Sequence, residues 1–124
     1  MALSDLIKNI DRLKAEVDKL RPLKPEVEQR LIQKLRLDWN FHSSQIEGNT
    51  LTYGETKALL LWGITTGGKP FRDTLEMRGH DKVVQYLFDI VKKNKEPLTE
   101  VFIRNPHEMI ICEPYEVGAI TPDG

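Results

Sequence analysis

One cysteine, Cys112, in 124 residues cannot close an internal disulfide. Nothing in the chain therefore calls for an oxidising compartment, and a reducing cytoplasm is the expected location. Neither sign of charge is in excess: 18 Lys+Arg stand against 19 Asp+Glu, a net charge of −1. That excludes the electrostatic footprint which nucleic acid or an anionic membrane surface would require. Long apolar runs are missing as well. Leu59-Leu60-Leu61-Trp62 is among the longest, far short of the roughly 20 residues that span a bilayer. The opening Met1-Ala2-Leu3-Ser4-Asp5 has neither the basic start nor the apolar stretch of a signal peptide. No internal repeat and no alternating strand pattern is found. What is present is 40% apolar and 30% charged residues in periodic blocks, the pattern of a globular chain and not of a disordered one.

The periodicity is helical throughout. Ser4 opens a first segment in which Leu6, Ile10, Leu13, Val17 and Leu20 recur at steps of four and three. This is a narrow stripe suited to a two-helix seam within a hairpin. Pro22 and Pro25 punctuate it, and Pro25 suits the first turn of a second helix, expected from Pro25 to Glu47. Val27, Leu31, Leu35, Trp39 and Ile46 are its expected buried positions. Gly48-Asn49 supplies the stop, since both residues tolerate a left-handed cap. Thr52 with Glu55 three residues on reads as a capping box opening a short helix that carries Ala58, Leu59, Leu61 and Trp62 and ends at Gly63. A Thr-, Gly- and Pro-rich loop covers 64–71. A helix over 72–93 should bury Leu75, Val83, Val84, Leu87 and Ile90 or Val91. Thr99 can cap a last helix, and the final ten residues read as an extended tail. The expected fold is all-α: an N-terminal helical hairpin, a small orthogonal helical bundle and an irregular C-terminal tail.

Chemistry is scarce. Gly63-Ile64-Thr65-Thr66-Gly67-Gly68-Lys69-Pro70 approaches a phosphate-binding loop. Pro70, however, replaces the hydroxyl residue that would hold magnesium and removes a backbone N–H from the nest. A connector between helices is the better reading. His42, His80 and His107 are too dispersed for a metal site, and Cys112 has no partner cysteine and no activating histidine. Glu47, Glu55 and Glu76 are not spaced as an acid–base pair. No metal ligand set and no catalytic residue is assigned. One stretch stands apart: Ser43-Ser44-Gln45-Ile46-Glu47-Gly48-Asn49 crowds polar residues onto a helix end. Ser43 and Glu47, four apart, share a face. A carboxylate there opposes the helix dipole by about a few tenths of a kcal/mol, which a cation from elsewhere would offset. The alternative is a plain polar helix terminus.

Ser43, Glu47 and Gly48, followed by Asn49, Thr50, Leu51, Thr52 and Glu55, resemble the inhibitory-helix signature of the Fic family: Ser or Thr, three residues, then Glu and Gly or Asn. Gly68-Lys69-Pro70-Phe71-Arg72-Asp73, Leu75-Glu76-Met77-Arg78-Gly79-His80-Asp81, Leu98-Thr99-Glu100, His107 and Glu113-Pro114-Tyr115 continue the resemblance in order. The family's catalytic signature, His-x-Phe-x-Asp/Glu-Gly-Asn-Gly-Arg, does not occur in this sequence. The resemblance implies three segments: a hairpin arm over 1–37, a Fic N-terminal region with the inhibitory helix over 38–97, and the start of an incomplete Fic core over 98–124. Asn105-Pro106 departs from a segment that the family keeps helical, and a break is expected there.

The resemblance further implies that Glu47 regulates transfer of AMP from ATP to proteins. It would draw the second arginine of the catalytic motif away from the ATP γ-phosphate, so that Glu47 touches nucleotide binding only through the catalytic half. ATP and Mg2+ are expected for the complete enzyme and no cofactor for this chain. The implied partner is a Fic catalytic core in cis. A stand-alone inhibitor acting in trans and a helical module that self-associates through exposed apolar surface are the alternatives.

Overall fold

The computed structural model describes residues 2–93 and 97–119, with side chains through Ile111. Within them lie five helices and no strand: α1 (Leu3–Asp18), α2 (Pro25–Ile46), α3 (Tyr53–Trp62), α4 (Phe71–Lys93) and α5 (Glu100–Ala119). The all-α expectation is met. No described helix is long and apolar enough to cross a membrane. The chain divides into two compact units, residues 1–32 and 33–124.

The first unit contains α1 and the opening of α2. Ala2, not Ser4, is the N-cap of α1, and no side chain caps it. No α1 residue is buried, and its apolar stripe is exposed along its whole length. Pro25 begins α2 as its sequence position suggests, because its fixed φ suits the first turn and its missing N–H is not needed there.

In the second unit α2 contradicts its expected apolar face. Leu35, Trp39 (41% exposed) and Ile46 (83%) are exposed, as are Val27 and Leu31 earlier in the helix. The buried positions are instead Leu37, Asn40 and Ser44. They keep the steps of three and four that one helix face requires, but two of the three are polar, so hydrophobicity alone pointed to the wrong stripe. The helix stops where Gly48 takes a left-handed φ of +91° and the Asn49 N–H returns to the Ser44 carbonyl.

The capping box at α3 forms as read: Thr52 Oγ1 accepts from the Glu55 N–H at 3.1 Å while Glu55 Oε1 accepts from the Thr52 N–H at 3.1 Å. Gly63 closes α3 in the left-handed conformation. Leu51, Leu59 and Met77 form the central cluster with Leu60 against it, and Leu37, Leu75, Val83 and Val84 complete the buried apolar set. Each such side chain contributes about 1.5–3 kcal/mol on burial. Leu87 and Ile90 are half-buried and Val91 is exposed. Trp62 at the end of α3 is 63% exposed.

Helix α5 passes unbroken through Pro106, correcting the expected break at Asn105-Pro106. A mid-helix proline removes one backbone hydrogen bond and crowds the preceding turn. Packing between α4 and α5 holds the chain helical in spite of that. At their crossing Gly79 lets the backbones touch: a Cβ there would sit 3.0 Å from the Ile110 carbonyl oxygen and 3.2 Å from that of Met109. Helix α5 continues to Ala119, into the stretch expected to be tail. The remainder of that tail and the side chains of Cys112, Glu113 and Tyr115 lie outside the described residues.

Candidate functional site

The second half of α2 is held to α4 by a polar ladder. Arg36, Asn40 and Ser44 recur every four residues and so lie on one face. Asp81, 6% exposed, is the hub. Its Oδ1 accepts from Arg36 Nε at 2.6 Å and Asn40 Nδ2 at 2.9 Å. Its Oδ2 accepts from Arg36 Nη2 and Gln85 Nε2, each at 2.7 Å. The fork of the guanidinium matches the carboxylate in two parallel bonds, and those bonds hold Arg36 above its ordinary pKa. Arg36 Nη2 also reaches the Leu60 carbonyl at 3.3 Å. One rung on, Asn40 Oδ1 lies 2.6 Å from His80 Nδ1. At the last rung the Ser44 hydroxyl donates to Met77 Sδ at 3.5 Å. Burial pushes the His80 pKa down, opposed in part by the charge of Asp81.

Beyond the ladder opens a cleft of about 560 Å³. Helix α2 and the turn after it supply Ser43, Ser44 and Glu47; α4 supplies Arg72, Glu76 and His80; α5 supplies His107, Ile110 and Ile111. Arg72 Nε donates to Glu76 Oε1 at 2.8 Å across one turn of α4. Glu47 is exposed and follows the last residue of α2. Its backbone N–H is bonded to the Ser44 carbonyl, and its carboxylate has no hydrogen bond or ion pair among the described residues. Ser43 is half-buried beside it, and no bond joins the two side chains.

The other motif residues are not among those lining this cleft and have structural work. Gly48 supplies the reversal of the chain. Asn49 is buried, its Oδ1 accepting from the Leu51 N–H at 3.0 Å and its Nδ2 donating to the Asp73 carbonyl at 2.8 Å. Thr52 and Glu55 form the α3 cap, and the Thr52 backbone N–H holds the Glu55 carboxyl below its ordinary pKa. The phosphate-loop lookalike is committed too. Lys69 Nζ donates to the Thr50 carbonyl at 2.9 Å and pairs with Glu55 at 3.5 Å, so its amine serves the loop and does not face an open anion site.

Two of the dispersed histidines, His80 and His107, meet at the cleft, which sequence distance concealed. No group of three or more metal-binding side chains exists among the described residues. Sequence reading passed over Arg36, Asn40 and Asp81. The available signal was the polar i, i+4, i+8 series Arg36-Asn40-Ser44 inside an otherwise amphipathic helix.

No family model matches the chain. A protein adenylyltransferase of Caenorhabditis elegans, fic-1, is 29% identical over 94 residues, covering 73% of this chain and 18% of that protein. The protein adenylyltransferase Fic of Nematostella vectensis is 25% identical over 118 residues, covering 88% of this chain and 26% of its own length. Among solved structures, a Fic domain containing signaling protein from Bacteroides thetaiotaomicron superposes with a TM-score of 0.76 at 40% identity, covering 82% of this chain and 38% of that one. These likenesses in sequence and fold place the chain in the Fic family. It spans between about a fifth and two fifths of the length of these relatives.

Proposed function

We propose that this chain is the N-terminal regulatory portion of a Fic-type protein adenylyltransferase, in which Glu47 holds the enzyme in an inhibited resting state. The observation that carries the reading is the Glu47 carboxylate: it lines the cleft from a rigidly anchored helix end and has no partner among the described residues. Three cations of the second unit are engaged with other carboxylates, Arg36 with Asp81, Arg72 with Glu76 and Lys69 with Glu55. A carboxylate held ready in this way is a receptor for a cation brought by another segment.

The competing partners are a carboxylate and a phosphate, and a planar guanidinium binds both in the same bidentate manner. Glu47 takes the arginine of the catalytic portion, and the γ-phosphate of ATP then lacks the group that aligns it for transfer. Tethering to the same chain gives an effective concentration on the order of millimolar. A coupling of about 1–3 kcal/mol suffices for a several-fold to hundredfold change in activity. ATP and Mg2+ belong to the catalytic portion, since the one glycine-rich loop here spends its lysine on Thr50 and Glu55. The setting is cytoplasmic, and the partner is the Fic core in cis. The exposed α1 stripe favours a second, compatible reading, self-association of the arm.

The test is Glu47→Ala. In a Fic protein carrying this segment together with its catalytic motif, AMP transfer rises at least several-fold. In the 124-residue chain, stability stays within about ±0.5 kcal/mol, as for other surface substitutions. Unchanged transfer refutes the inhibitory role, and unfolding of the chain makes Glu47 structural.

A further inference from the structure

The ladder determines more than the seat of α2. Asn40 Nδ2 donates both its hydrogens, to the Arg36 carbonyl at 2.9 Å and to Asp81 Oδ1 at 2.9 Å. That fixes which way the amide faces. The atom lying 2.6 Å from His80 Nδ1 is then Asn40 Oδ1, an acceptor only. His80 Nδ1 must donate, which puts the proton of the neutral ring on Nδ1 and leaves the lone pair on Nε2. Asp81 is saturated by four donors and cannot turn away. Carboxylate, amide and imidazole thus form a relay that selects one tautomer. The ring lines the cleft with Nδ1 turned into the ladder. Its cleft-side nitrogen is an acceptor with no partner among the described residues.

We infer that His80 is a ligand-binding residue of the cleft, its Nε2 accepting an N–H from the same guanidinium that pairs with Glu47. The inference rests on the reading of Glu47 given above. A guanidinium has five N–H donors, so one edge can serve a carboxylate while another donor remains for a neutral acceptor. The cleft offers that second acceptor on the wall opposite Glu47's helix. Glu76, the other carboxylate on that wall, is bonded to Arg72. Burial favours the neutral ring, so the acceptor form persists at neutral pH.

Long-range 1H–15N spectra of the whole chain at pH 7 test the first half. Nδ1 of His80 should resonate as a protonated nitrogen and Nε2 as an unprotonated one; the reverse assignment overturns the inference without any substitution. Methylguanidinium chloride, titrated at constant ionic strength, tests the second half. His80 Nε2 and the Glu47 carboxyl carbon should shift along one isotherm. His80→Leu should weaken binding about tenfold to a hundredfold, the scale of one hydrogen bond to a charged group, and His80→Gln, which keeps an acceptor, should recover part of it. If Glu47 titrates while Nε2 is silent, His80 is not in the site and the Glu47 reading stands. If Nε2 titrates without Glu47, the Glu47 reading falls and the shared site with it. If neither responds, both are refuted.

Discussion

Asp81→Ala is the perturbation that most directly tests how the second half of α2 is held. The carboxylate accepts four hydrogen bonds, two of them charge-assisted from Arg36. Its loss strands a guanidinium whose side chain is only 23% exposed. Removing one partner of a buried pair costs about 3–5 kcal/mol. Three features place this site at the lower end. Gln85 is exposed and can rehydrate, Asn40 keeps its bond to the Arg36 carbonyl, and Arg36 keeps the Leu60 carbonyl. The expected loss is about 3 kcal/mol, a large share of the roughly 5–15 kcal/mol that stabilises a domain. Trp39 and Trp62 both lie in the second unit, so their fluorescence in urea reports on it. The midpoint should fall with an unchanged m-value, and Tm should drop by more than about 10 °C. Arg36→Ala and the double variant complete a cycle whose coupling should exceed about 1 kcal/mol. Arg12→Ala, which breaks the exposed Arg12–Glu16 pair, should cost less than about 0.5 kcal/mol. A loss below about 1 kcal/mol for Asp81→Ala would mean that the ladder is ornamental and that apolar packing alone seats α2.

Gly79→Ala sets about 1 kcal/mol of helix propensity against about 1–3 kcal/mol for crowding rigid backbone. Because the new Cβ meets two carbonyl oxygens of α5, a net loss of about 1 kcal/mol in urea unfolding and faster amide exchange in α5 are expected; a stabilised variant refutes the close crossing. Acid should weaken the second unit through His80, whose folded pKa lies below its ordinary 6.5. The unfolded chain takes up that proton more readily, so the stability is fully present above about 6.5 and lost as pH falls from there toward the lower folded value. Urea midpoints across that window should decline in the native chain, and His80→Gln should flatten the slope; an equal decline in both would assign it to other groups.

The helices and their punctuation were legible because they depend on neighbours a few residues away. Pro25 at a first turn, the Thr52/Glu55 box, and Gly48 and Gly63 at helix ends each act through local backbone geometry, and each stands where the spacing put it. The motif around Glu47 was legible as a pattern, though not as a division of labour. Asn49, Thr52 and Glu55 turn out to build the turn and the next helix, while Ser43 and Glu47 face the cleft.

What the sequence by itself determined is an all-helical chain with its breaks and an acidic helix end. Tertiary structure alone decided which face of α2 is buried, because a buried face made of Asn40 and Ser44 carries no hydrophobic signal. It also decided that α5 survives Pro106, since a lost hydrogen bond is outweighed only by packing on a distant helix. The relay from Asp81 through Asn40 to His80 joins residues about forty positions apart. Its chemistry depends on hydrogen-bond directions, and those exist only once α2 lies on α4.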